Sequence, residues 1–196
     1  ELVRIAAYDL CADDPVAVVD DVAAALADLA GAAIEASLSI ARADLVPDFS
    51  VEQIDLVDFA VIGMGKCGAR ELNYLSDVDV IYVGQSRDVE QLENERALQI
   101  ATRLAQATMR GIFEVSIEPG LWEVDANLRP EGKDGALVRT LESHLAYYDR
   151  WAKNWEFQAL LHQKVKQGLQ VGYAYQPFVI AQQQNLFHEI PKAVPP

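Results

Sequence analysis

Three glycines stand between two apolar runs, and the second run opens on a pair of aspartates; this stretch, Phe59 to Val83, limits the chain to very few folds. Gly63-x-Gly65-x-x-Gly68 after an apolar segment has the letters of a dinucleotide-binding fingerprint. That fold needs a crossover of a dozen or more residues containing a real helix, and an acid at the end of the second strand. Here only Ala69 to Ser76 lie between Gly68 and Asp77, and Asp88 is the sole acid near the far end of Val78 to Val83. A phosphate loop of the Walker type is weaker still, because Gly65-Lys66 is followed by Cys67 where a hydroxyl is needed.

Metal-dependent nucleotidyl transfer uses every odd feature of the stretch. Asp77 and Asp79 are two apart at the head of a strand, so their carboxylates point to one face and can share divalent ions. A third carboxylate from a neighbouring strand would complete a site that brackets the attacking and leaving oxygens of an in-line displacement. Asp125 is the candidate, with Glu123 as the lesser substitute: Trp122, Val124, Ala126 and Leu128 alternate with Glu123, Asp125, Asn127 and Arg129, leaving one face apolar and one charged. Arg129 on that face could hold a phosphate through both arms of its guanidinium. Gly63, Gly65 and Gly68 let backbone amides approach phosphates closely. Lys66 and Arg70 either bind phosphate or are solvated. Ser76 is read as a turn residue that orients this phosphate-side loop.

Around this centre the chain reads as mixed α and β. Helices are expected over Glu1 to Ala12 and over Pro15 to Ala43, the second opened by Asp14-Pro15 as cap and first-turn proline. Leu45 to Glu52 is expected as a loop, Asp55 to Ile62 and Val78 to Val83 as strands, and Asp88 to Met109 as a helix closed by Gly111. Phe113 to Ile117 and Leu121 to Leu128 read as a hairpin around Pro119-Gly120, and Arg129 to Gly135 as a loop. Leu141 to Lys166 reads as two helices broken near Lys153-Asn154, and the residues after Gly168 give a weak signal.

The net charge of −14 disfavours a nucleic-acid duplex as partner, since phosphate backbones are bound through lysine and arginine. No apolar run approaches the roughly 20 residues that span a bilayer. Cys11 and Cys67, far apart and without metal-ligand spacing, fit the reducing cytoplasm. The three histidines suggest neither zinc nor a triad. The chain opens inside what reads as a helix, which suggests a piece of something larger.

Gly63-Met-Gly-Lys-x-Gly-x-Arg-Glu-Leu-Asn-Tyr-x-Ser-Asp-Val-Asp-Val-Ile resembles the signature of the glutamine synthetase adenylyltransferase family. Glu123-Val-Asp-Ala-Asn-Leu-Arg-Pro-Glu-Gly, Gly135-x-Leu-Val, Tyr147-Tyr148 and Trp155-Glu-Phe-Gln-Ala-Leu-Leu161 follow in that family's order, with Asn127 standing where many members have another arginine. The resemblance, which covers about Glu1 to Gly168, implies an α+β, DNA polymerase beta-like nucleotidyltransferase domain with its N-terminal helices over 1–138 and the start of a helical bundle over 139–190; the residues themselves suggest a disordered tail over 191–196. It implies Asp77, Asp79 and Asp125 as metal ligands and catalytic groups; Gly63, Gly65, Lys66, Gly68, Ser76 and Arg129 stand on the nucleotide or phosphate side from the reading of the residues, and the resemblance adds nothing about Arg129 beyond its place in Leu-Arg-Pro. The implied cofactor is Mg2+, as two ions, with ATP, ADP or phosphate as substrate. The implied partners are glutamine synthetase and a nitrogen-signalling regulatory protein. Members carry two such domains, and Trp155-Glu-Phe-Gln together with the opening residues resembles the half that removes AMP from a tyrosine of the synthetase by phosphorolysis. Adenylylation by the other domain type, a non-catalytic interaction fragment and a dinucleotide enzyme are the alternatives.

Overall fold

The computed structural model describes residues 1–114, 120–161 and 179–182. Helix α1 spans Leu2–Leu10 and α2 spans Pro15–Asp44. The start of α2 follows from its local chemistry: the Asp14 carboxylate accepts from the amides of Val16 and Ala17, and Pro15 occupies a first-turn position whose missing N–H costs nothing. Its buried side, Val22, Leu26, Ala30, Ile34, Leu38 and Ala41, recurs at intervals of three and four residues, as a helix laid on a core requires. A short helix, α3 (Val51–Asp55), begins in the segment expected as a loop and runs to Asp55, where the first strand was expected to start. Ser50 caps it by accepting from the Gln53 amide at 3.2 Å, a signal the proline-bearing surroundings mask.

Strands β1 (Val57–Gly63) and β2 (Val78–Ser86) pair antiparallel, with Val57 opposite Ser86 and Gly63 opposite Val80. Two short strands, β3 (Val124–Asp125) and β4 (Val138–Arg139), run parallel to β2 along its other edge, and β5 (Val179–Gln182) lies antiparallel against β1. The antiparallel β1–β2 pair removes the parallel βαβ unit on which a dinucleotide fold depends. Helix α5 covers Asn94–Phe113.

One face of the sheet packs on α2 and α5. Val57, Phe59, Val61, Val78, Val80 and Tyr82 join those helices in a single cluster, and the Phe59 and Tyr82 rings stack 5.8 Å apart. Ser37 on α2 donates to the Thr108 carbonyl on α5 at 2.9 Å. Because strand side chains alternate, Asp79 and Val83 turn to the opposite face, where Ala60 and Val83 pack with Ile62 and Leu141. The helical layer thus supports the sheet from behind and leaves the acidic residues in front.

The differences from the sequence expectation have local causes. Helix α5 starts at Asn94 because Asp88 folds a turn onto itself, accepting from the Glu90 amide and the Gln91 side chain. Gly111 does not end that helix. A Cβ there would lie 2.2 Å from Ser37 Oγ, so the glycine serves helix contact and α5 runs on to Phe113, which was expected in a strand. In the second arm of the expected hairpin only Val124 and Asp125 are strand, and they pair with β2; residues 115–119 of the first arm and turn lie outside the described residues. A single turn of 3-10 helix occupies Gly132–Asp134 within the loop.

The break near Lys153 separates α6 (Leu141–Arg150) from α7 (Asn154–Leu161), where it was expected. Glu156 stitches the corner, accepting from the Lys153 amide and the Tyr147 hydroxyl. The mixed α+β class agrees with the expectation. The segments 162–178 and 183–196, including the expected tail, lie outside the described residues. Among the described residues no helix is long and apolar enough to cross a membrane.

Candidate active site

The acidic pair is carried by the mouth of β2. Asp77 precedes the strand and is exposed, while Asp79 is half-buried within it. Strand β3 brings Asp125 directly across: Val78 is opposite Val124 and Asp79 opposite Asp125 in parallel register, with the Val78 amide donating to the Glu123 carbonyl at 2.8 Å. One carboxylate oxygen from each of Asp77, Asp79 and Asp125 lies within 4.8 Å of the others. Among the described residues this is the sole group of acids, cysteines or histidines so arranged, and Glu123 is not in it.

The cluster is electrostatically unfinished. Burial first, and then the charges of Asp77 and Asp125, push the Asp79 carboxyl up from 3.8 to about 6, with the Lys66 ammonium pulling the other way. Carboxylates driven together without a balancing charge raise each other's protonation, and a hard cation with oxygen preference relieves them. The donor set, all oxygen and all anionic, fits Mg2+ better than a soft metal. Asp125 is also aimed: its Oδ1 accepts the Asn127 amide at 2.6 Å, which fixes the plane of the carboxylate.

The glycine stretch lies against this cluster. Gly63 ends β1, and the Met64 amide extends the pairing by donating to the Asp79 carbonyl at 2.8 Å. Gly65 begins α4 (Gly65–Gly68) with φ +52°, and a Cβ there would stand 2.5 Å from Asp79 Oδ2. The residue therefore has to be glycine twice over, for its backbone angle and for the space its neighbour occupies. Gly68 packs on the Gly63 carbonyl, where a Cβ would meet the oxygen at 2.4 Å. Lys66 is exposed beside the acids, and Ser76, next to Asp77 in the chain, is buried. Cys67 is an inert core residue, its thiol pushed up to about 12 by burial and then by the Asp79 and Asp28 charges.

Two arginines near the site, Arg70, read as phosphate-binding or solvated, and Arg129, read as a phosphate contact, bond to other parts of the protein in this structure. The Arg70 guanidinium makes paired bonds of 2.6 and 2.8 Å to Asp28 on α2. Arg129 donates to three carbonyls of its own loop, those of Ala126, Lys133 and Gly135, at 2.9, 3.1 and 3.2 Å. Sequence reasoning missed what fastens the connector between glycines and aspartates: besides Arg70, Tyr74 donates to Asp9 on α1 at 3.1 Å. The signal was available, since a bulky arginine and tyrosine in so short a connector need partners, but those partners lie 42 and 65 positions away.

Fold and site together define a candidate cation-binding centre, a carboxylate cluster at the mouth of a strand with a glycine turn beside it. The chain belongs to the glutamate-ammonia ligase adenylyltransferase family, whose family model matches residues 1–173. It is 62% identical over 164 residues to the bifunctional glutamine synthetase adenylyltransferase/adenylyl-removing enzyme of Leifsonia xyli subsp. xyli, a match covering 82% of this chain and 16% of that relative. Relatives of the same description from Cutibacterium acnes and Mycobacterium avium are 51% and 49% identical, over 82% and 85% of this chain and 16% and 15% of their own lengths. The chain thus spans about a sixth of the curated relatives it matches.

Proposed function

We propose that this chain carries a magnesium-dependent nucleotidyl-transfer site acting on glutamine synthetase, and that the reaction is phosphorolytic removal of AMP from an adenylylated tyrosine, giving ADP. The observation that carries the reading is the convergence of Asp77, Asp79 and Asp125 within 4.8 Å on the open face of the sheet. The names of the relatives supply the protein substrate and the two directions of transfer. The resemblance of Trp155-Glu-Phe-Gln to the adenylyl-removing half favours removal.

In this reading residues 1–138 form a polymerase beta-like domain, 139–190 begin a helical bundle, and the protein works in the cytoplasm. Asp77, Asp79 and Asp125 would hold the magnesium, which when bound supplies positive charge to the phosphoryl oxygens. Gly63, Gly65 and Gly68 keep the adjacent backbone bare of side chains, so that phosphate oxygens can reach its amides. Lys66 adds a mobile positive charge on the same side, and Ser76 steadies the turn that delivers Asp77. A phosphate oxygen bonds to the AMP phosphorus as the phosphorus–tyrosine oxygen bond breaks; the tyrosine oxygen takes a proton from solvent, and ADP leaves. The cluster's own charge keeps the incoming phosphate out until it is neutralised, which makes turnover metal-dependent.

The test is incubation with adenylylated glutamine synthetase, phosphate and magnesium. ADP release is expected. AMP incorporation from ATP into the unmodified synthetase would assign the opposite direction, and the absence of both would leave a non-catalytic interaction fragment and overturn the proposal.

A further inference from the structure

We infer that Arg129 is a positioning residue that holds Asp125 in its ligating orientation, and not a phosphate ligand; the inference rests on the reading of the carboxylate cluster as a metal site. Three of the guanidinium's five N–H donors, one on each nitrogen, are committed within its own loop. Nη1 donates to the Ala126 carbonyl, Nη2 to Lys133 and Nε to Gly135, at 2.9, 3.1 and 3.2 Å, so each nitrogen of the fork is tied to a carbonyl of the loop.

What those bonds close is the loop directly behind Asp125. Backbone bonds from the Arg129 amide to Ala126 and from the Gly132 amide to Arg129, at 3.2 and 2.8 Å, tighten it further. It passes through two consecutive left-handed residues, Glu131 (φ +64°) and Gly132 (φ +58°). A non-glycine residue there is disfavoured, so the turn needs an external tie. A fixed planar fork matched to three carbonyls provides it, and ties both ends of the loop, 126 and 133–135, to one side chain.

The consequence reaches the site through Asn127. Its amide, held next to the Ala126 carbonyl that Arg129 grips, donates to Asp125 Oδ1 at 2.6 Å. One oxygen of Asp125 is thereby fixed, and with it the plane of the carboxylate that meets Asp77 and Asp79. Without the brace, the Asn127 amide and the carboxylate it orients are free to turn away. A partner that orients a metal-binding side chain typically governs metal affinity by 10- to 100-fold.

Mn2+ binding, read by electron paramagnetic resonance on the intact polypeptide, tests this with Arg129→Gln and Arg129→Lys. Both are expected to weaken Mn2+ binding by about tenfold or more, with affinity for inorganic phosphate in saturating Mn2+ unchanged. Lysine keeps the charge but lacks the fork, so it rescues a phosphate ligand and does not rescue a brace. Arg129→Lys also keeps the test open if the glutamine variant fails to fold. Wild-type Mn2+ affinity in both variants, or loss of phosphate affinity restored by lysine, would overturn the inference. Failure of the unsubstituted protein to bind Mn2+ would instead overturn the metal reading of the cluster on which it rests.

Discussion

Asp79→Asn is expected to reduce nucleotidyl transfer by about 10²–10³-fold or more, the scale set by removing one electrostatic group from a preorganised site, while leaving the fold intact. The aspartate sits between Asp77 and Asp125 with one oxygen of each close by, and the metal-free protein gains nothing from its charge. The sign of its pH dependence follows from the raised value. The folded protein holds a proton on Asp79 that the unfolded chain releases, so its stabilising contribution is complete below 3.8 and is lost as pH rises through about 6. Melting temperatures across that window in a chelator should fall with rising pH in the unsubstituted protein and fall less in Asp79→Asn. An active Asp79→Asn, or a variant that unfolds, contradicts the assignment.

Gly65→Ala is expected to be the second most damaging change. Its backbone, at φ +52°, is one that L residues occupy at a cost of about 1–2 kcal/mol. That alone corresponds to a few degrees of melting temperature in a chain of this size. The larger effect is chemical: the new methyl group would lie 2.5 Å from Asp79 Oδ2, so the carboxylate must move out of the cluster. Metal affinity and turnover should therefore fall far more than stability does. Comparing Mn2+ affinity with melting temperature in the same variant separates the two, and normal Mn2+ affinity would show that Asp79 tolerates displacement.

Much of this arrangement is written in short-range pattern. The distance between the glycines and Asp77 is too small for a crossover helix, and the antiparallel β1–β2 pair is what so short a connection permits. Alternation places Asp77 with Asp79, and the apolar face of the second strand places Asp125 outward, because a period of two is fixed by strand geometry alone. Asp14-Pro15 marks the start of α2 for the same reason: cap chemistry acts over three residues.

What stayed hidden is long-range or competes with a stronger local signal. Gly111 reads as a helix stop, yet its role is to let α5 touch Ser37, a contact that exists only once both helices are packed. Arg129 reads as a phosphate ligand because its strand position and charge suit one; its carbonyl partners appear only when the loop closes. Arg70 and Tyr74 find acids on α1 and α2, which no spacing in the sequence announces. The short strands β3 and β4, two residues each, fall below the length at which periodicity can be read.

The most direct measurement is calorimetric titration of ADP into the protein and into Asp77→Asn, each with and without magnesium, with NAD as the control ligand. The account predicts that ADP binds the unsubstituted protein only when magnesium is present, that Asp77→Asn loses this binding, and that NAD gives no signal. Metal-independent binding of ADP or NAD, or magnesium-dependent binding that survives in Asp77→Asn, would contradict it.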